Sequence, residues 1–158
     1  MNVKIFYNLS RLLLKPLIIL VDQLQTNFTK HFTLMNVGTT QLSDYNKLIK
    51  NFFLKKDFIL DCGCGVGHFS RLFNKKKYIG IEINDNFVKI AKLNNKNYSF
   101  DNFKGKLIKK YKSKINAILI NNVIHHLSKK DVKNVFSYIR KNAAKKSKIL
   151  IIEPIFPK

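Results

Sequence analysis

Three glycines at every second position follow an aspartate in the stretch Asp61-Cys62-Gly63-Cys64-Gly65-Val66-Gly67. Gly63, Gly65 and Gly67 let a backbone turn tightly and approach a ligand with no side chain in the way. Amides at the start of a following helix can meet a negatively charged ligand group. A second acid, Glu82, stands about 20 residues further on, at the end of Tyr78-Ile79-Gly80-Ile81-Glu82. A carboxylate at the end of a second strand can accept both hydroxyls of a ribose. Two other glycine loops fit less well. A phosphate-cradling P-loop needs GxxxxGK followed by Ser or Thr, and no such run occurs. The GxGxxG fingerprint fails because His68 stands where its third glycine should be.

The remaining chemical candidates are weaker. Cys62, Cys64 and His68 are too few and too close for structural zinc, which takes four ligands at wider spacing, so no metal site is expected. Neither cysteine has the activating partner that a nucleophilic thiol needs. The adjacent His125 and His126 could supply a general base near a substrate. Their commoner use is to orient a loop by hydrogen bonding. They are the only catalytic candidates.

Strands and helices must alternate to hold these residues. Short apolar runs at Phe58–Leu60, Tyr78–Ile83, Tyr98–Phe100, Ile115–Ile120 and Lys148–Ile152 read as strands. Helical spacing falls between them: Phe69, Leu72 and Phe73; Phe87, Ile90 and Ala91; Val132, Val135, Phe136 and Ile139. Ser128 with Asp131 three residues on resembles a capping box. The pattern predicts an α/β fold, a Rossmann-like doubly wound and mostly parallel sheet of about five strands, with helices on both faces. Ahead of it, residues 1–54 read as a helical segment. One helix is expected over 2–27, kinked by Pro16, and another over Leu42–Phe53, with a turn at Asn36–Thr40. Residues 55–158 then form the ligand-binding domain of a single globular unit.

Composition narrows the setting. At 158 residues the chain fits one domain. No apolar stretch reaches the ~20 residues of a membrane span; the best, Leu12–Val21, is broken by Lys15 and Pro16. Two cysteines one residue apart make no disulfide framework, which points to a reducing, cytoplasmic setting. The net charge is +21, yet 27 of the 30 basic residues are Lys and only three are Arg. Nucleic-acid readers lean on Arg for bidentate contacts, so nucleic acid is a possible partner but not the favoured one.

From about Phe58 to Pro154 the sequence resembles the class I S-adenosylmethionine-dependent methyltransferases. Phe58-Ile59-Leu60-Asp61-Cys62-Gly63-Cys64-Gly65-Val66-Gly67 looks like the family's first motif, and Gly80-Ile81-Glu82-Ile83-Asn84 like its second-strand acidic motif. Phe100-Asp101-Asn102, Asn121-Asn122-Val123-Ile124-His125-His126-Leu127 and Ile151-Ile152-Glu153-Pro154 follow in the family's order. The resemblance implies that Gly63, Gly65 and Gly67 wrap the methionine part of the cofactor, with Asp61 beside it. It implies Glu82 on the ribose, Ile83 against the adenine, Asp101 accepting from the adenine amino group with Asn102 adjacent, and Asn121 and Asn122 bordering the sulfonium and the substrate. Nine acids occur in the whole chain, and three of them fall on these strand ends.

The reading is therefore a methyltransferase acting on a small-molecule or lipid-like acceptor. Asn121-Asn122-Val123-Ile124 departs from the proline-rich motif of the members that methylate amides and amino-adenines, which argues against those substrates. An RNA methyltransferase is the rival, and a degenerate cofactor-binding module the non-enzymatic alternative. Two expectations concern the ends. Residues 1–27 are expected to cover the pocket or touch a membrane surface. The family's sheet ends in an antiparallel pair after its fifth strand, but this sequence stops at Lys158. The 148–152 strand is then expected at an open edge, covered by a second copy in a homodimer or left in a truncated chain.

Overall fold

A computed structural model of the chain describes residues 16–22, 29–36 and 42–154. Short runs, most of them rich in Ile, Leu and Val, form its strands, as β-branched side chains suit a pleated surface. They are β1 (Pro16–Asp22), β2 (Thr29–Asn36), β3 (Ile59–Cys62), β4 (Tyr78–Glu82), β5 (Ser99–Asn102), β6 (Ala117–Asn121) and β7 (Ser147–Pro154). The α-helices are α1 (Leu42–Phe52), α2 (Asp85–Asn94) and α3 (Lys129–Asn142). Strands β3 to β7 make the expected parallel sheet, in the order β7-β6-β3-β4-β5. The Rossmann-like fold class holds.

Side chains alternate across that sheet, as a period of two requires. Ile59, Tyr78, Phe100, Leu119 and Ile152 face one layer, where they meet Ile49 and Phe53 around α1 and Val88 and Ala91 of α2. Leu60, Cys62, Ile79, Ile118 and Ile149 face the other, against Ile139 of α3 and Ile108 and Ile115. Both faces are buried, the condition for a parallel sheet. Helix starts follow local chemistry. Asn84 Oδ1 accepts from the Asn86 amide at 2.9 Å, and Ser128 Oγ accepts from the Asp131 amide at 3.1 Å.

Three expectations need correction. The helix drawn over 2–27 does not form where Pro16–Asp22 is described, because that stretch is β1. Leu17-Ile18-Ile19-Leu20-Val21 is a continuous apolar run, whose period fits a buried strand as well as a helix. Residues 1–15 and 23–28, which carry the rest of that helix and of the membrane contact, lie outside the described residues, as does most of the Asn36–Thr40 turn. Second, Phe69, Leu72 and Phe73 sit on a single 3-10 turn, Ser70–Leu72, and not on a full α-helix. Third, β7 is not an open edge. Strand β2 runs parallel to it along Ser147 to Leu150, and β1 runs antiparallel along Ile151 to Pro154 while also pairing with β2. The flank reserved for a second copy is filled from within the chain, and the sheet reaches seven strands.

Candidate active site

Glycine-rich backbone occupies the point where the sheet order reverses, beyond the carboxyl end of β3. The amides of Gly63 and Cys64 both donate to the Ile81 carbonyl, at 2.8 and 3.0 Å, which ties the turn to β4. Gly63, Gly65 and Gly67 have φ of 78°, 52° and 79°, in the left-handed region that costs other residues about 1–2 kcal/mol. Their surroundings differ. A Cβ on Gly63 would overlap Val123, and one on Gly67 would lie 2.7 Å from Phe100 Cζ. A Cβ on Gly65 would meet nothing within 4 Å. Gly63 and Gly67 are packed against protein, while Gly65 borders open space.

Glu82 ends β4 beside that space. Its Oε2 accepts from the Gly65 amide at 3.0 Å, and its Oε1 accepts from the amides of Ile83 and Asn84 at 2.8 and 3.0 Å. The carboxylate thus shapes the glycine turn and retains acceptor capacity on Oε2. Ile83 follows with 74% of its surface exposed, an apolar side chain open to contact beside Glu82. Asn102 Nδ2 donates to the Ile83 carbonyl and to Asp85 Oδ1, each at 2.9 Å, which fixes the Ile83 backbone.

Asp61 and Asp101 face inward. Asp61 is buried and accepts from Tyr78 Oη at 2.7 Å. Burial pushes its carboxyl up to about 7, the Tyr78 hydroxyl opposes the rise, and the nearby Glu82 adds to it. Its place is beneath the turn. Asp101 accepts from the amides of Asn102 and Leu107, at 2.9 and 2.8 Å, and a Cβ on Gly105 would overlap its carboxylate. Both oxygens of Asp101 therefore hold the loop after β5. Burial pushes the Cys62 and Cys64 thiols far up, so neither supplies a thiolate.

Asn121 and Asn122 close the other side, after β6. Asn121 Oδ1 is buried with no hydrogen-bond partner, a costly state for an amide oxygen. Asn122 has φ of 54°, and its amide donates to the Ile152 carbonyl at 2.8 Å. Residues 123–125 are held by Glu153 at the end of β7. Its Oε1 accepts from the amides of Val123 and Ile124, both at 2.8 Å, and its Oε2 from the His125 amide at 3.3 Å. Oε2 also lies 2.5 Å from His125 Nδ1. The His126 ring lies 3.8 Å from that of His125, centroid to centroid. Sequence reasoning passed over Glu153 and Tyr78 as functional residues. Glu153 had the same signal as Glu82, a scarce acid at a strand end.

The structure brings Gly63, Gly65, Gly67, Glu82 and Val123 into one neighbourhood, with Asn121 and Asn122 immediately before Val123. A cleft of about 340 Å³ lies elsewhere, between Arg71 and the turn from Leu93 to Tyr98. It contains none of the strand-end acids, so the candidate site is the glycine turn and not that cleft.

Known proteins share the fold that carries this site. The fold is similar to that of the PH0226 protein from Pyrococcus horikoshii, at 20% identity and a TM-score of 0.57, over 72% of this chain and 58% of that one. It is also similar to a TehB-like SAM-dependent methyltransferase from Corynebacterium glutamicum, at 18% identity and 0.56, over 72% and 63%. A third is the YcgJ protein from Bacillus subtilis, at 18% and 0.56, over 70% and 50%. The chain spans less than two thirds of each of these proteins, and such identities speak for the fold alone. No curated protein sequence matches it. A sequence model of a methyltransferase domain matches residues 39–155, which takes in α1, the glycine turn, Glu82, the asparagines and Glu153. With most of its length inside that match, the chain belongs to the methyltransferase domain family.

Proposed function

We propose that this protein binds S-adenosylmethionine over the β3–β4 turn and transfers its methyl group to a small-molecule or lipid-like acceptor. The observation that carries the reading is the open space at Gly65, bounded by Glu82 and the exposed Ile83. The residues present fit the cofactor. Glu82 Oε2 has capacity for a ribose hydroxyl, Ile83 offers apolar surface for a flat base, and Asn121 Oδ1 is a buried acceptor in need of a donor. Bound there, the cofactor supplies a methyl group on a sulfonium leaving group. Gly63, Gly65 and Gly67 would surround its methionine part, with Asn102 supporting Ile83. Asp61, bonded to Tyr78, would lie beside the methionine part at the start of the turn.

The protein's own task is mainly alignment, because holding nucleophile and methyl in line removes much of the entropic barrier. A proton acceptor is needed only where the nucleophile carries a proton of high pKa, and His125 and His126 are the candidates. The two free cysteines suit a cytoplasmic enzyme. Among the described residues no helix is long and apolar enough to cross a membrane.

Isothermal titration with S-adenosylmethionine and S-adenosylhomocysteine tests the binding step. Micromolar affinity is expected, lost in Glu82→Ala and weakened in Glu82→Gln, with circular dichroism to show that both variants fold. No heat and no thermal shift with either ligand would sink the proposal. Transfer of a labelled methyl to total RNA, with none to a metabolite extract, would replace the small acceptor by RNA. Binding without transfer to either would leave a non-catalytic module.

A further inference from the structure

Glu153 gathers four hydrogen-bonding contacts from one short stretch of chain. Oε1 takes the Val123 and Ile124 amides, and Oε2 takes the His125 amide and its Nδ1. Its side chain is 12% exposed and that of His125 18%. Successive amides that converge in this way form an anion-binding nest. Here the anion is a side chain from the neighbouring strand. The bond from the Asn122 amide to the Ile152 carbonyl, next to it, fixes the same loop to β7. The arrangement joins β7 to the segment that carries Asn121 and Asn122, and Val123 in turn abuts Gly63 of the cofactor turn.

A carboxylate has no proton to give and only accepts. The ring atom facing Glu153 Oε2, His125 Nδ1, must therefore carry the proton, and in the neutral ring the lone pair falls on Nε2. We propose that Glu153 is a positioning residue for the acceptor side of the site. It sets the course of residues 121–127 and fixes the tautomer of His125, so that Nε2 is the basic atom. The inference rests on the methyl-transfer reading and deepens it, since it names the group that shapes the side where an acceptor would sit.

Glu153→Gln separates positioning from bulk structure. The amide keeps the size of Glu and an oxygen for Val123 and Ile124, but it turns an NH2 toward His125. Nitrogen-15 spectra of the neutral His125 ring are expected to show the Nδ1–H form in the wild type and the Nε2–H form in the variant. Exchange of the His125 amide is expected to rise about tenfold or more, from loss of a bond to a charged acceptor. Affinity for S-adenosylhomocysteine should stay within about twofold, because the retained oxygen still accepts from Val123 and Ile124 and so keeps the backbone that carries Asn121 and Asn122. An unchanged ring signature and unchanged amide protection in the variant would overturn the proposal. If the variant does not fold, an Nε2–H ring in the wild type overturns it equally well. Failure of the wild type to bind S-adenosylhomocysteine would instead remove the methyl-transfer reading, and the ring and amide data would still judge Glu153.

Discussion

Replacing Gly65 and Gly67 by alanine in turn should separate the cofactor space from the packed core. Both residues are left-handed, so each substitution carries the backbone strain of about 1–2 kcal/mol. At Gly65 that strain is the whole structural cost, because the new methyl meets nothing within 4 Å. At Gly67 the methyl lies 2.7 and 2.8 Å from two Phe100 ring carbons and 2.9 Å from Asn95 Nδ2. Phe100 is 2% exposed and packs edge-on against Tyr78, so it has no room to retreat. Overpacking of that kind adds about 1–3 kcal/mol. Gly65→Ala should then lower the melting temperature by roughly 2–8 °C, and Gly67→Ala by about twice as much. The order reverses for the ligand. The Gly65 methyl enters the space assigned to S-adenosylmethionine and should weaken S-adenosylhomocysteine binding about tenfold or more. Scanning calorimetry with and without that ligand reads both effects. Equal destabilisation of the two variants, or a full ligand-induced shift in Gly65→Ala, would refute the reasoning.

Other perturbations follow from the buried charges and the sheet edge. Burial pushes the Asp61 carboxyl up to about 7 when folded, against 3.8 for one in water, so folding favours its protonated form. Its stabilising effect is complete below about pH 4, fades as the pH rises toward 7 and is gone above that, a swing of up to a few kcal/mol. Asp61→Asn should flatten this part of the stability profile in urea titrations at pH 4.5 and 7.5; parallel profiles would contradict it. Lys148 Nζ pairs with the buried Asp57 at 2.6 Å and also donates to the Phe52 carbonyl at 2.9 Å. Lys148→Met should cost about 3 kcal/mol, since it removes the cation beside a buried carboxylate that then keeps only the Leu54 amide and Asn116; a denaturant midpoint equal to that of the wild type would exclude this. With the β7 flank taken by β1 and β2, light scattering at micromolar concentration is expected to show a monomer. A stable dimer would mean that another surface pairs.

Local signals carried most of the domain. The five parallel strands were legible because each is a short apolar run closed by a turn residue, as at Asp61 to Gly63 and Glu82 to Asn84. Ser128 and Asp131 announced α3. The strand-end acids and glycines could be named from spacing, but their division of labour could not. Asp61 and Glu82 look alike in sequence. One is sealed beneath the turn by Tyr78 and the other borders open space, although alternation puts both on the same face of the sheet. The difference is depth, since Asp61 lies one residue inside β3 and Glu82 is the last residue of β4. The miss at Pro16–Asp22 has a different cause. A strand and a buried helix can share the same unbroken apolar run, and only the partner strands decide. One of those partners, β7, lies at the far end of the sequence.

That long-range pairing governs the order in which the protein can be completed. Ile18 pairs with Ile152, nearly the whole chain later. A ribosome releases the N-terminal strands first, and they wait without their template while β3 to β6 are made. Contacts of such sequence separation are slow to form, because loop closure precedes any gain from them. The antiparallel pair of β1 and β2 is then open to wrong pairing during synthesis. Stalled chains that lack residues 147–158 should leave β1 open to protease while β3 to β6 are already protected, so the two ends of this sheet mature on separate clocks.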